Sequence, residues 1–130
     1  MIVSLHVATG ATGGGLVRSR VAAATLGLFL HFVGDVVPHQ DIRSRRFEVW
    51  SGVAALLAIA ARRGLLAPAT IGAAAASSPD VEHMFRLPRP GGRKLFPSHR
   101  VKRWHRAGGL PAWLQVLAAG VLVGFAVSRR

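Results

Sequence analysis

The sequence predicts an all-α protein: a compact, membrane-embedded bundle of about five short helices in a single domain covering residues 1–130. Three observations lead there. The chain is 51% hydrophobic with a mean hydropathy of +0.37, above an ordinary soluble composition. Its charges fall in bunches between long uncharged stretches rich in Ala and Leu, and few runs alternate apolar with polar residues, which favours helices over strands. A chain of this size has too much surface to hide five such stretches in a soluble core, so a bilayer is the expected solvent.

The helices are expected at about 2–17, 21–37, 47–62, 64–79 and 109–127. The first is uncharged apart from its terminus, and Gly10, Gly13, Gly14 and Gly15 suit close helix packing. No Gly-Lys-Ser/Thr follows these glycines, which disfavours a phosphate loop. No Lys or Arg precedes the apolar part, so the segment does not read as a cleaved signal peptide and is expected to stay attached. In the second stretch, 21–34, the sole titratable group is His31, and 49–61 and 64–79 are uncharged. The last stretch, 107–128, runs 22 residues without a formal charge, and at about 1.5 Å per residue it can cross a hydrocarbon core of roughly 30 Å.

If the five helices alternate in direction, the N-terminus and the connections 38–46 and 80–108 share one side. That side carries eleven basic residues against six on the other, so the positive-inside rule makes it cytoplasmic, with a basic loop at about 80–108. The formal net charge of the chain is +12. The same arrangement gathers His39, Asp41, Asp80, Glu82, His83, His99 and His105 on that side, with His31, Asp35 and His6 at the adjoining helix ends. Glu48 alone among the carboxylates has no neighbouring histidine in the sequence. With no cysteine, thiolate metal sites and disulfides are excluded, and any metal falls to histidine nitrogen and carboxylate oxygen.

Three stretches carry the chemistry. In 31–41, His31 and Asp35 lie four residues apart on one helix face, where they can meet one ion, and Pro38 ends the helix so that His39 turns into the loop. The plainer reading has Asp35 neutralising an arginine and His31 bonded within the core. In 77–83, Asp80 and His83 at i and i+3 can face one way after a Pro-Asp turn; the plainer reading is a helix cap. In 96–106, His99 and His105 can complete a ligand set or protonate a leaving group, while Arg100, Arg103 and Arg106 grip an anion. The competing reading there is a basic segment drawn to anionic lipid, with Trp104 and Trp113 at the interface. Nucleic acid is disfavoured as a partner for so apolar a chain. His6 in isolation reads as a satisfied helix histidine.

At these residues the chain resembles the small membrane-bound hydrolases of bacteria and archaea that are assigned as metal-dependent. That family has an early His before a Gly-rich helix, then Pro-Asp-x-Asp-His, then His-Arg-x-x-Thr-His-Ser. Here the elements are similar to His6-Val-Ala-Thr-Gly10, Pro79-Asp80-Val81-Glu82-His83, and His99-Arg100 followed by His105. Glu82 stands where the family has its second Asp, five residues separate His99 from His105, and no Thr or Ser flanks His105. The segment 31–41 looks like a motif of shorter relatives.

The resemblance implies a metal-dependent hydrolase in a bacterial or archaeal cytoplasmic membrane. The expected ion is zinc, manganese or iron, with His31, Asp35, His39, Asp80, His83 and His99 as ligands. Glu82, the carboxylate least needed as a ligand, is the expected general base, with His105 beside it in the catalytic set. Arg100, Arg103 and Arg106 are expected to bind a phosphoester or an anionic lipid head group. Two non-enzymatic alternatives remain: a proton or metal site in a membrane protein, and a structural protein whose basic loop docks lipid. The far helix halves hold little polar beyond Thr, Ser and Gly, which favours a one-sided site over a conducting path.

Overall fold

The computed structural model describes residues 1–85, 87–101, 104 and 108–129. Helices account for its regular structure: α1 (Val3–Gly14), α2 (Arg20–Val36), α3 (Arg45–Arg63), α4 (Pro68–Ser77), the single turns α5 (Val81–Met84) and α6 (Pro97–Arg100), and α7 (Ala112–Ser128). The all-α expectation holds. Local chemistry sets the ends. Ser19 and Ser44 cap α2 and α3, their hydroxyls accepting from the Ala22 and Phe47 amides at 3.3 Å. Helix α3 carries Glu48 in its first turn and Arg62 and Arg63 in its last, matching the helix dipole, and stops at Gly64 with φ 95°.

Prolines trim two expected helices. Pro68 stands at the first position of α4, with Ala67 extended before it at ψ 143°, so this helix starts four residues later than the apolar pattern suggests. Pro111 likewise delays α7 to Ala112. The 22-residue uncharged run therefore contributes a 17-residue helix, about 26 Å long. Among the described residues, no helix is long and apolar enough to cross a membrane.

Helix α1 is the axis of the bundle, packed against α2, α3, α4 and α7 and buried at Ser4 through Ala8, Gly10, Ala11, Gly13 and Gly14. Glycine makes this possible at the α1–α4 crossing. A Cβ on Gly10 would lie 2.4 Å from the Gly72 carbonyl oxygen, and one on Gly72 would lie 2.4 Å from that of Gly10. The core is built largely of alanines and small groups, whereas large apolar side chains point outward: Phe29, Trp50, Leu57, Trp113, Leu117 and Val121 are all exposed.

The helices alternate in direction, so the N-terminal ends of α1, α3 and α7 meet the C-terminal ends of α2 and α4. Gln115, fully buried on α7, ties this end together: its Oε1 accepts from the Ile2 amide at 3.1 Å, and its Nε2 donates to the carbonyls of Gln40 at 2.8 Å and Leu110 at 3.1 Å. Backbone bonds from Gln40 to Leu110 and from Leu110 to Pro38 fasten the 38–40 loop to the entry of α7.

Candidate metal centre

Asp35, on the last turn of α2, is 1% exposed and is the hub of the polar end. Its Oδ1 lies 3.2 Å from His6 Nε2 and 3.4 Å from the Met1 nitrogen. Its Oδ2 accepts from the Ser98 hydroxyl at 2.6 Å and lies 3.1 Å from His31 Nε2 and 3.2 Å from His99 Nε2. Those two ring nitrogens are themselves 3.3 Å apart.

The outer ring nitrogens determine what these contacts mean. His31 Nδ1 donates to the Ala76 carbonyl at 2.7 Å, and His99 Nδ1 is bonded to the Glu82 carboxylate. With Nδ1 committed in both rings, each Nε2 that carries no proton presents a lone pair to the other and to Asp35 Oδ2. At 3.1–3.3 Å the three atoms are held together either by protons on the ring nitrogens or by a cation among them. The spacing suits a metal: ligands about 2.1 Å from a tetrahedral ion are separated by about 3.4 Å. A histidine ligand braced through its second nitrogen by a carbonyl or carboxylate is the usual outer arrangement of such sites.

Glu82 is fixed in that bracing position. Besides His99 it accepts from the Leu95 amide at 2.6 Å and the Phe96 amide at 3.3 Å, and it is 3% exposed. These bonds hold its carboxyl below the ordinary range against the opposing effect of burial. Burial alone would lower the His99 pKa, but its bonds to Asp35 and Glu82 raise it.

Asp80, at the end of the 3₁₀ turn after α4, places Oδ1 3.9 Å from His99 Nε2. Its Oδ2 is buried and has no hydrogen bond among the described residues, and burial pushes the carboxyl up to about 6. His83 on α5 stands edge-on to His99 with ring centroids 4.3 Å apart. Partial burial and the positive charge of His99 and Lys94 lower its pKa to about 4. Among the described residues, three overlapping groups could hold a metal ion: His31, Asp35 and His99; Asp80, His83 and His99; and His6, His31 and Asp80.

The structure thus brings together five of the six expected ligands. His39 stands apart from these groups. It is buried, but its Nδ1 donates to the Val37 carbonyl at 2.7 Å, and its Nε2 faces the Met1 nitrogen and, at 3.3 Å, Asp41. Pro38 explains the difference: it ends α2 and turns His39 back against the chain entry. Arg100 is exposed and donates to the Lys94 carbonyl. His105, Arg103 and Arg106 lie outside the described residues.

Sequence reasoning undervalued His6, which stacks on His31 with centroids 4.1 Å apart, and it passed over Ser98, which has no motif to mark it. It also set Glu48 aside. Glu48 lines a cleft of ≈ 330 Å³ together with Asp41, Arg45, Asp80 and His83. No family model, curated protein or solved structure matches the chain.

Proposed function

We propose that the protein is a membrane-bound, metal-dependent hydrolase that acts on a phosphoester at the cytoplasmic face. The observation that carries this reading is the convergence of His31 Nε2, His99 Nε2 and Asp35 Oδ2, with both outer ring nitrogens already committed. Two imidazoles and a carboxylate suit zinc, manganese or iron, and such an ion when bound would acidify water and polarise a phosphoryl oxygen. The chain supplies the rest. Ser98 and His6 hold Asp35 from both of its oxygens, and Glu82 orients His99. Asp80 lines the cleft, and its buried Oδ2 has no hydrogen bond among the described residues, so in this reading it is the group that takes the proton of an attacking water. This gives Glu82 an orienting role in place of the general-base role expected from sequence.

The bilayer enters the proposal through the inverted packing. Small residues inside and Phe29, Trp50, Leu57, Trp113 and Leu117 outside are what close-packed helices in lipid require, and in water so much apolar surface would need a partner. The resemblance at His6, 79–83 and 99–105 points the same way.

A second reading has its own observation. His99 is a group whose neighbours favour the protonated form, so two protons could hold the three acceptors in place of one dication, making a proton site without catalysis. Elemental analysis of the purified full chain separates the two. Stoichiometric zinc, manganese or iron, lost in Asp35→Asn together with hydrolysis of bis(p-nitrophenyl) phosphate, supports the hydrolase. A metal-free wild type that cannot be loaded would refute it.

A further inference from the structure

We infer that the end of the bundle opposite the metal centre is a docking surface for anionic phospholipid, with arginines at the level of the phosphates and loop leucines among the acyl chains. Neither the metal nor hydrolysis enters into it. The connections 15–19 and 64–67 form this end together with the last turn of α7. They bring together Arg18, Arg20, Arg62, Arg63 and Arg129.

The chain has five acidic residues, and all of them lie at the other end: Asp35, Asp80 and Glu82 in the metal centre, Asp41 and Glu48 in the cleft beside it. Arg20 and Asp35 stand at opposite ends of α2, and Glu48 and Arg62 at opposite ends of α3. At about 1.5 Å per helical residue each pair is roughly 20 Å apart. Charges are screened over about 8 Å at physiological ionic strength, so no acidic side chain of this chain neutralises these arginines. Helix ends do little to replace one: the C-termini of α1, α3 and α7 meet here, but the N-termini of α2 and α4 oppose them. Arg63 Nη1 donates to the Arg129 carbonyl at 2.6 Å, and the Arg129 guanidinium lies over the Phe125 ring at 4.1 Å, so these two cations are held beside one recess, with Thr12 and Gly15 in its wall. Arg18, Arg20 and Arg62 are exposed.

The apolar groups between the arginines point to lipid among anionic partners. Val21, Leu65 and Leu16, at 76%, 75% and 71%, are the most exposed large apolar side chains among the described residues, and Leu66 stands beside them. They occupy the same two connections and helix starts as the arginines, at the end of the bundle and not around its flank. A nucleic-acid backbone or an acidic peptide would meet the arginines and leave these side chains in water. Phosphates above acyl chains satisfy both. A guanidinium also meets a phosphate through two parallel N–H donors, which fits an end whose cations are all arginine.

A bimane on Leu65→Cys, in a chain that has no other cysteine, reads the lipid at this end. The full chain is reconstituted in vesicles of phosphatidylcholine with a minor share of phosphatidylglycerol, and quenching is compared with bromine carried on one lipid or the other. Per molecule, brominated phosphatidylglycerol should quench about 5-fold more strongly, the worth of one arginine near a charged surface. The preference should vanish in the triple variant Arg18→Gln, Arg20→Gln, Arg62→Gln and largely persist in its lysine counterpart. Arg43→Gln with Arg93→Gln, both exposed at the metal end, should match wild type. Arg63 and Arg129 are left in place, and unaltered helix content in the triple variant shows that the fold survives. Equal quenching by the two lipids, quenching by neither, or a preference that survives the triple variant would overturn the docking surface. Loss of quenching on adding polyglutamate would assign this end to an acidic protein segment and overturn it as well. Protein that carbonate releases, but that floats with phosphatidylglycerol vesicles through the same three arginines, would support the docking surface while sinking the embedded bundle.

Discussion

Replacing Glu82 by glutamine distinguishes a brace from a base. The carboxylate takes three hydrogen bonds, from His99 Nδ1 and from the amides of Leu95 and Phe96, and it is nearly inaccessible to solvent. A carboxamide keeps the shape but loses the charge, and its NH2 cannot accept from any of the three donors. Losing an outer partner of a ligating histidine typically costs 10- to 100-fold in metal affinity. Leaving one of these amides unpaired costs roughly 1–3 kcal/mol more, felt as looser packing of 94–97 over the site. Competition against a chromogenic chelator should therefore show Glu82→Gln binding zinc about 10- to 100-fold more weakly than wild type. Once zinc is saturating, turnover of bis(p-nitrophenyl) phosphate should recover to within several-fold. Unchanged zinc affinity with turnover depressed by three orders of magnitude at saturating metal would refute this reasoning and restore Glu82 as the general base.

Asp80→Asn should be at least as stable as wild type in the metal-free state at pH 7. A carboxyl whose folded pKa is raised to about 6 disfavours the folded state once ionised, so the metal-free wild type should gain stability as pH falls from 7 through 6, and the variant should lack this gain in thermal melts. Gly72→Leu should destabilise the bundle by more than the roughly 1–3 kcal/mol of ordinary overpacking, because its Cβ would press on the Gly10 carbonyl at 2.4 Å; a melting temperature equal to wild type would contradict the α1–α4 packing. The chain should stay in the pellet on alkaline carbonate extraction. A cysteine introduced at exposed Arg93, in a chain that has no other, should resist an impermeant maleimide in intact cells; labelling there would place the site on the opposite face.

Periodicity and composition were enough to read five helices and their alternation, because Ala-rich apolar runs bounded by Ser caps, Pro and Gly leave the backbone few choices. The gathering of His31, Asp35, Asp80, His83 and His99 at one end followed from that alternation. Partner assignment within the gathering did not. Glu82 looked available because the loop that supplies the Leu95 and Phe96 amides folds back over it from thirteen residues downstream, a closure no local pattern records. His39 looked equivalent to His31 because both flank Asp35 in sequence, yet Pro38 ends the helix between them and sends the second ring to the Val37 carbonyl. His6 looked bland because a single histidine on an apolar helix carries no motif, and its place beside Asp35 depends on α1 being the central helix.

X-ray absorption at the metal edge of the full chain tests the central claim most directly. An ion among His31, Asp35 and His99 should give nitrogen and oxygen neighbours at about 2.0–2.1 Å, with scattering from two imidazole rings that falls to one in His99→Ala. A spectrum without imidazole scattering, or one that His99→Ala leaves unaltered, would contradict it.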